Sequence, residues 1–189
     1  MGINGKVSQI NMKRKAVFLD RDGVLNRAIV RDGKPYPPVN IAELEILPGV
    51  FEALQLLKDA GYVLIVVSNQ PDVARGTTSK EAVEAINAYL SKNLPIDRFI
   101  MCYEDGDDSE CRKPRPGMLY AGAREFDIDL TSSFMIGDRW RDMDAGIAAG
   151  CKTIYIDYKY SEKRPVSFNF QTKSLLEAAK FIIQTNKTK

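Results

Sequence analysis

Ala16-Val17-Phe18-Leu19-Asp20-Arg21-Asp22-Gly23 is a four-residue apolar run that ends on two carboxylates one residue apart. A run this short, uninterrupted and closed by polar residues reads as a buried strand. The strand period of two turns Asp20 and Asp22 toward the same side. Residues 63–67, VLIVV, repeat the pattern and lead into Ser68-Asn69-Gln70. Residues 98–102, 133–136 and 153–156 are three further short strands, and Gly137-Asp138 follows the second of these. Helical periods lie between them. Val50, Leu54 and Leu57 share a face that Gly61 closes, and Thr78-x-x-Glu81 reads as a capping box for a helix through Leu90. Pro116 begins a helix through Phe126, residues 142–149 form another that Gly150 stops, and Ser174-x-x-Glu177 opens the last. Strands alternating with helices predict an α/β fold, a doubly wound parallel sheet with helices on both faces. Such sheets bind ligands beyond the carboxyl ends of their strands, where these polar residues fall. Residues 27–47 hold Pro35, Pro37 and Pro38 with no helical period, and read as a loop. A flexible tail over residues 1–14 precedes a single domain over residues 15–189.

The 189 residues are 44 % hydrophobic and 28 % charged with a net charge of +2, the composition of a globular protein without a basic footprint for nucleic acid. There is no histidine, which excludes Ser-His-Asp and Cys-His catalysis, HExxH zinc sites and Cys2His2 fingers. Three cysteines, Cys102, Cys111 and Cys151, have no CxxC spacing and predict free thiols in a reducing cytoplasm. The first residues lack the apolar core of a signal peptide, and no apolar stretch reaches the ~20 residues that span a bilayer.

A carboxylate pair at a strand end can divide labour, one group attacking and the other moving a proton. With Asp138 it offers three hard oxygen donors without histidine, a set that suits Mg²⁺ better than zinc. Ser68 and Asn69 can meet phosphate oxygens, and Lys113 sits between Arg112 and Pro114. Singly, each of these has a plain structural reading as a turn, a cap or a solvated charge.

Together, FLDRDGVLN, VVSNQ, CRKPRPGML and MIGDRWRDM resemble the four ordered motifs of the haloacid dehalogenase-like (HAD) phosphatases, from about residue 16 to residue 156. The resemblance implies the Rossmann-like HAD fold. It makes Asp20 the nucleophile that forms an aspartyl-phosphate and Asp22 the acid and base. Ser68 and Lys113 would hold the transferring phosphoryl group. Mg²⁺ would sit on the Asp20 carboxylate, the Asp22 carbonyl and Asp138. Asp142 keeps two readings: it orients Lys113 or a metal-bound water, or it caps the following helix.

DRDGVLN, the 68–76 stretch and C-R-K-P-x-P-G-M are closest to the capless branch of heptose-1,7-bisphosphate 7-phosphatases, with histidinol-phosphate phosphatases as the alternative. By that resemblance Asn69, Gln70, Arg75, Arg112, Arg139, Ala28 and Arg31 border the substrate. The branch carries a zinc loop of form C-x-H…C-x-C. Here Glu104 and Ser109 replace two of its ligands, so the loop is expected to bind no zinc and Cys102 and Cys111 to be ordinary thiols. Three other readings are weaker. A signalling receiver needs a long-lived phosphoaspartate, which Asp22 would shorten. A non-catalytic sugar-phosphate binder has no use for both aspartates. A polynucleotide 3′-phosphatase would carry a basic–aromatic stripe that is absent here. The expected partner is a small phosphate ester, with no nucleic acid or membrane, bound by a monomer or weak dimer.

Overall fold

The computed structural model describes residues 13–187. Most of the expected tail, residues 1–12, lies outside the described residues. Arg14 already joins the fold, its backbone N–H donating to the Asp127 carbonyl at 2.9 Å and its carbonyl accepting from Asp129 at 2.8 Å.

The strands are β1 (Ala16–Leu19), β2 (Ile29–Arg31), β3 (Lys34–Tyr36), β4 (Val63–Asn69), β5 (Arg98–Cys102), β6 (Phe134–Gly137), β7 (Lys152–Ile156) and β8 (Phe170–Thr172). The helices are α1 (Val50–Asp59), α2 (Lys80–Asn93), α3 (Gly117–Phe126), α4 (Trp140–Ala149) and α5 (Leu175–Lys187). Six strands make one sheet in the order β5-β4-β1-β6-β7-β8, every neighbouring pair parallel. Alternation along each strand serves two cores. Val17, Leu19, Leu64 and Val66 face Leu54 of α1, Ile86 of α2 and Ile182 of α5. Ala16, Phe18, Ile65 and Val67 face Met118 of α3 and Ala145 of α4. Burial on both faces explains why these strands read as continuous apolar runs. β1 is central, flanked by β4 on one side and β6 on the other. The chain leaves β1 and β6 beside a topological switch point, and a crevice opens there beyond the strand ends.

Several expectations change. The α2 cap is Ser79, one residue after Thr78, with its Oγ accepting from the Ala82 N–H at 3.1 Å. α4 begins at Trp140, so Asp142 lies inside its first turn. β8 was not foreseen: three residues give too short a period to read. Residues 27–47 are more than a loop. β2 and β3 form a hairpin whose turn residues Asp32 and Gly33 have φ of 50° and 73°, the left-handed pair of a type I′ turn. Cys102 and Cys111 are not free thiols: they form a disulfide, with Cα atoms 5.6 Å apart. β5 delivers Cys102 beside the returning chain, a juxtaposition that spacing alone cannot show. Cys151 is the free, buried cysteine, and burial pushes its thiol up to about 12. No helix among the described residues is long and apolar enough to cross a membrane.

Candidate active site

The end of β1 presents Asp20, β4 presents Ser68 and Asn69, and β6 presents Asp138. The turn before α3 brings Lys113, and α4 contributes Asp142. With Asp22, these residues line one cavity of about 60 Å³ at the carboxyl edge of the sheet, together with Ala28, Tyr36, Arg139 and Arg141.

Lys113 is the electrostatic centre. Its ammonium is buried at 2 % exposure, 3.0 Å from Asp20 Oδ1 and 2.5 Å from Asp142 Oδ1, and it donates to the Val67 carbonyl at 2.8 Å. Burial opposes this charge, but Asp142 and Asp20 outweigh it and hold the Lys113 pKa above the usual lysine value. Asn69 fixes the Lys113 backbone from both sides: its Nδ2 donates to the Lys113 carbonyl and its Oδ1 accepts from the Lys113 N–H, each at 3.0 Å. Asn69 is thus engaged with the chain itself. Both readings of Asp142 are realised at once, since Oδ1 holds Lys113 while Oδ2 accepts from the Arg139 N–H at 3.0 Å and caps α4.

Three buried carboxylates, Asp20, Asp138 and Asp142, have oxygens within 4.8 Å of one another. Burial first, then Asp142, pushes Asp20 up to about 6, with Lys113 working against the shift. Burial and the charges of Asp20 and Asp142 raise Asp138 well above the ordinary carboxylate value. Asp138 is 1 % exposed; the Tyr160 hydroxyl approaches it, but neither carboxylate oxygen meets a donor in strict hydrogen-bonding geometry. Two orphaned oxygens beside two more carboxylates are the signature of a cation site. Asp142 is committed to Lys113 and the Arg139 N–H, which leaves Asp20 and Asp138 as side-chain ligands. Backbone comes close on the same side. A Cβ on Gly23, at φ +85°, would stand 1.9 Å from Asp138 Oδ2, so only glycine lets the DRDG turn approach Asp138.

Asp22 is held differently from Asp20. Its carboxylate accepts from Asn26 Nδ2 at 2.9 Å, Gln70 Nε2 at 2.8 Å and Arg21 Nη2 at 3.1 Å, and it stands outside the buried carboxylate trio. Gln70 also donates to Ser68 Oγ at 3.1 Å, which ties the Ser68 hydroxyl to Asp22.

Of the four arginines expected at the substrate, three are paired with carboxylates. Arg75 grips Asp105 at 2.6 Å and 2.7 Å, Arg112 meets Asp105 at 3.0 Å and Asp107 at 2.7 Å, and Arg139 pairs with Glu162. Arg112 and Arg75 border the acidic loop rather than the cavity. Ala28 and Arg139 do line it, whereas Arg31 lies across Tyr36 in the hairpin and faces a neighbouring hollow. Sequence reading passed over Arg21, Asn26, Tyr36 and Arg141. Arg21 carried a signal, a cation inside a run that otherwise packs into the core. Arg141, over the Trp140 ring at 4.5 Å, carried none.

A family model described as haloacid dehalogenase-like hydrolase matches residues 26–150. The chain is 36 % identical over 151 residues to the D-glycero-beta-D-manno-heptose-1,7-bisphosphate 7-phosphatase of Pasteurella multocida, 74 % of this chain and 79 % of that one. It is 35 % identical over 175 residues to the D-glycero-alpha-D-manno-heptose-1,7-bisphosphate 7-phosphatase of Campylobacter jejuni, 90 % and 96 % of the two chains. Among solved structures, the D,D-heptose 1.7-bisphosphate phosphatase of B. bronchiseptica, in complex with magnesium and phosphate, superposes with a TM-score of 0.78 at 29 % identity, covering 90 % of this chain and 99 % of that one.

Proposed function

The chain belongs to the haloacid dehalogenase-like hydrolases, and from that membership we propose that it is a Mg²⁺-dependent phosphatase that removes the 7-phosphate of D-glycero-D-manno-heptose 1,7-bisphosphate. The observation that carries the chemistry is the Lys113 ammonium, 3.0 Å from Asp20 Oδ1 and held by Asp142, at the buried group of Asp20, Asp138 and Asp142. The substrate rests on the names of relatives about 35 % identical over most of this chain.

A carboxylate attacking a phosphate ester meets like-charge repulsion. Lys113 offsets part of it and stays charged because Asp142 stands behind it. Asp20 Oδ attacks phosphorus, the P–O bond to the sugar breaks, and the leaving oxygen takes a proton from Asp22. The resulting aspartyl-phosphate is attacked at phosphorus by a water whose proton passes to Asp22, which frees Asp20 and inorganic phosphate. Ser68 donates to a phosphoryl oxygen and is aimed by Gln70. Asp20, Asp138 and the Asp22 carbonyl would hold Mg²⁺, which would supply a Lewis acid for the phosphoryl oxygens.

The test is phosphate release from heptose 1,7-bisphosphate, histidinol phosphate and a polynucleotide 3′-phosphate. Heptose bisphosphate is expected to lead in kcat/KM by on the order of 10²-fold, with the 1-phosphate left on the product. A lead by histidinol phosphate would reassign the substrate and leave the chemistry intact.

A further inference from the structure

Arg21 stands between the two aspartates and is 0 % exposed. No side chain so long is buried without a purpose for its five donors. Its fork closes on Asp22: Nε lies 3.3 Å from both carboxylate oxygens and Nη2 lies 3.1 Å from Oδ2. The other arm reaches away from the cavity, and Nη1 donates to Asn87 Oδ1 at 3.0 Å. Asn87 is on α2, 4 % exposed, among residues that otherwise face the apolar core. Its amide Nδ2 has no partner. An asparagine buried at a core position, with its donor end unsatisfied, stabilises little by itself. What it provides is one acceptor, and that acceptor holds the guanidinium.

We propose that Asn87 is a positioning residue for proton transfer, acting through Arg21 to fix the orientation of the Asp22 carboxylate. The two-pronged contact constrains the plane of the carboxylate as well as its place. Gln70 and Asn26 also donate to Asp22, and Arg21 with Asn87 completes its support on the side away from the cavity. Without the Asn87 acceptor, the guanidinium keeps its charge but loses the contact that anchors its far arm. Asp22 then presents its oxygen to the leaving group less often, and misplacement of a catalytic group is costly in rate. The proposal rests on the reading of Asp22 as the acid and base.

The experiment compares two esters in the Mg²⁺-loaded enzyme. Heptose 1,7-bisphosphate has an alkoxide leaving group that needs a proton, and p-nitrophenyl phosphate has one that does not. Asn87→Leu, close in volume and without an acceptor, is expected to lower kcat/KM on the sugar ester about tenfold. Since kcat/KM reports only the steps up to departure of the leaving group, and not the later hydrolysis that both esters share, the aryl ester is expected to change by less than about threefold. Asn87→Asp keeps Oδ1 and disturbs no bond of the unpartnered Nδ2, so it is expected to bring the ratio of the two esters back toward that of the parent enzyme. Arg21→Lys, which keeps the charge and loses the fork, is expected to shift the ratio in the same direction and serves where Asn87→Leu does not fold. In an Asp22→Asn background, Asn87→Leu is expected to move the ratio no further. Equal losses on both esters, or a folded Asn87→Leu with the parent ratio, would overturn the proposal. An Asp22→Asn enzyme with the parent ratio would overturn the acid–base reading itself.

Discussion

Asp20 and Asp22 are two residues from one turn with opposite surroundings. Asp20 is shut in with Asp138, Asp142 and Lys113, whereas Asp22 rests on amides and a guanidinium. In the proposed reaction Asp20, beside Lys113, is the nucleophile, and Asp22, held in place by three donors, is the acid and base. Asp20→Asn is isosteric and poorly nucleophilic. Turnover is expected to vanish while circular dichroism and the melting transition persist; turnover close to the parent rate would remove Asp20 from its role. Lys113→Met is the harsher change. It strands Asp20 and Asp142, both buried, without their cation. Breaking a buried pair in this way costs about 3–5 kcal/mol. A melting temperature lower by roughly 10 °C is expected, along with lost activity. A variant that melts like the parent would show that Lys113 does not hold the trio together.

At the scale of elements, the Cys102–Cys111 bridge links the end of β5 to the turn that carries Arg112 and Lys113. Closing a loop of this size stabilises by about 2–3 kcal/mol in the chain-entropy account. Replacing both cysteines by serine is therefore expected to lower the melting temperature by several degrees, and a thiol reductant should do the same to the parent but not to the variant. An unchanged parent melt in reductant would argue that the bridge carries no stability. The same region shows what was legible beforehand. β1, β4 and β6 announce themselves because burial on both faces forces apolar runs, and the residues after them fall at the site for the same topological reason. Pairing across the sheet leaves no local mark, so the bridge was read as two thiols. The β2–β3 hairpin hid among prolines, although Asp32-Gly33 names its turn. The roles of Arg75, Arg112 and Arg139 were expected from position, yet whether an arginine faces ligand or carboxylate depends on how the loop carrying Asp105 and Asp107 folds back and on Glu162, 23 residues from Arg139.

For the whole molecule, the buried trio couples stability to pH, and Mg²⁺ held there is expected to couple it to metal. Asp20 is pushed up to about 6 from an unfolded value near 3.8, by burial first. A raised carboxyl favours the fold in its protonated form. That contribution is fully present below about pH 4 and is lost as pH rises through about 6, and Asp138 shifts the same way. In chelator, the melting temperature is expected to rise as pH is lowered from 7 toward 5. Mg²⁺ at pH 7 should raise it by several degrees, because a ligand bound only to the folded state stabilises by mass action. The metal effect should shrink toward pH 5 as protons compete for the same oxygens. Differential scanning fluorimetry across pH, with and without Mg²⁺, reads all three; a Mg²⁺ effect that grows on acidification would contradict them.

β1 lies between β4 and β6, and its pairing with β6 joins residues about as far apart as Ala16 and Ser133, whose N–H and Oγ meet at 2.9 Å. A ribosome therefore releases Asp20 long before Lys113, Asp138 and Asp142. Asp20 and Asp22 emerge first, Ser68 next, then Lys113, and Asp138 and Asp142 follow. Until β6 arrives, β1 has one bare edge, a template for pairing with another chain. The growing chain thus holds Asp20 as an ordinary solvated carboxylate, and the group around it is assembled only once the edge is closed.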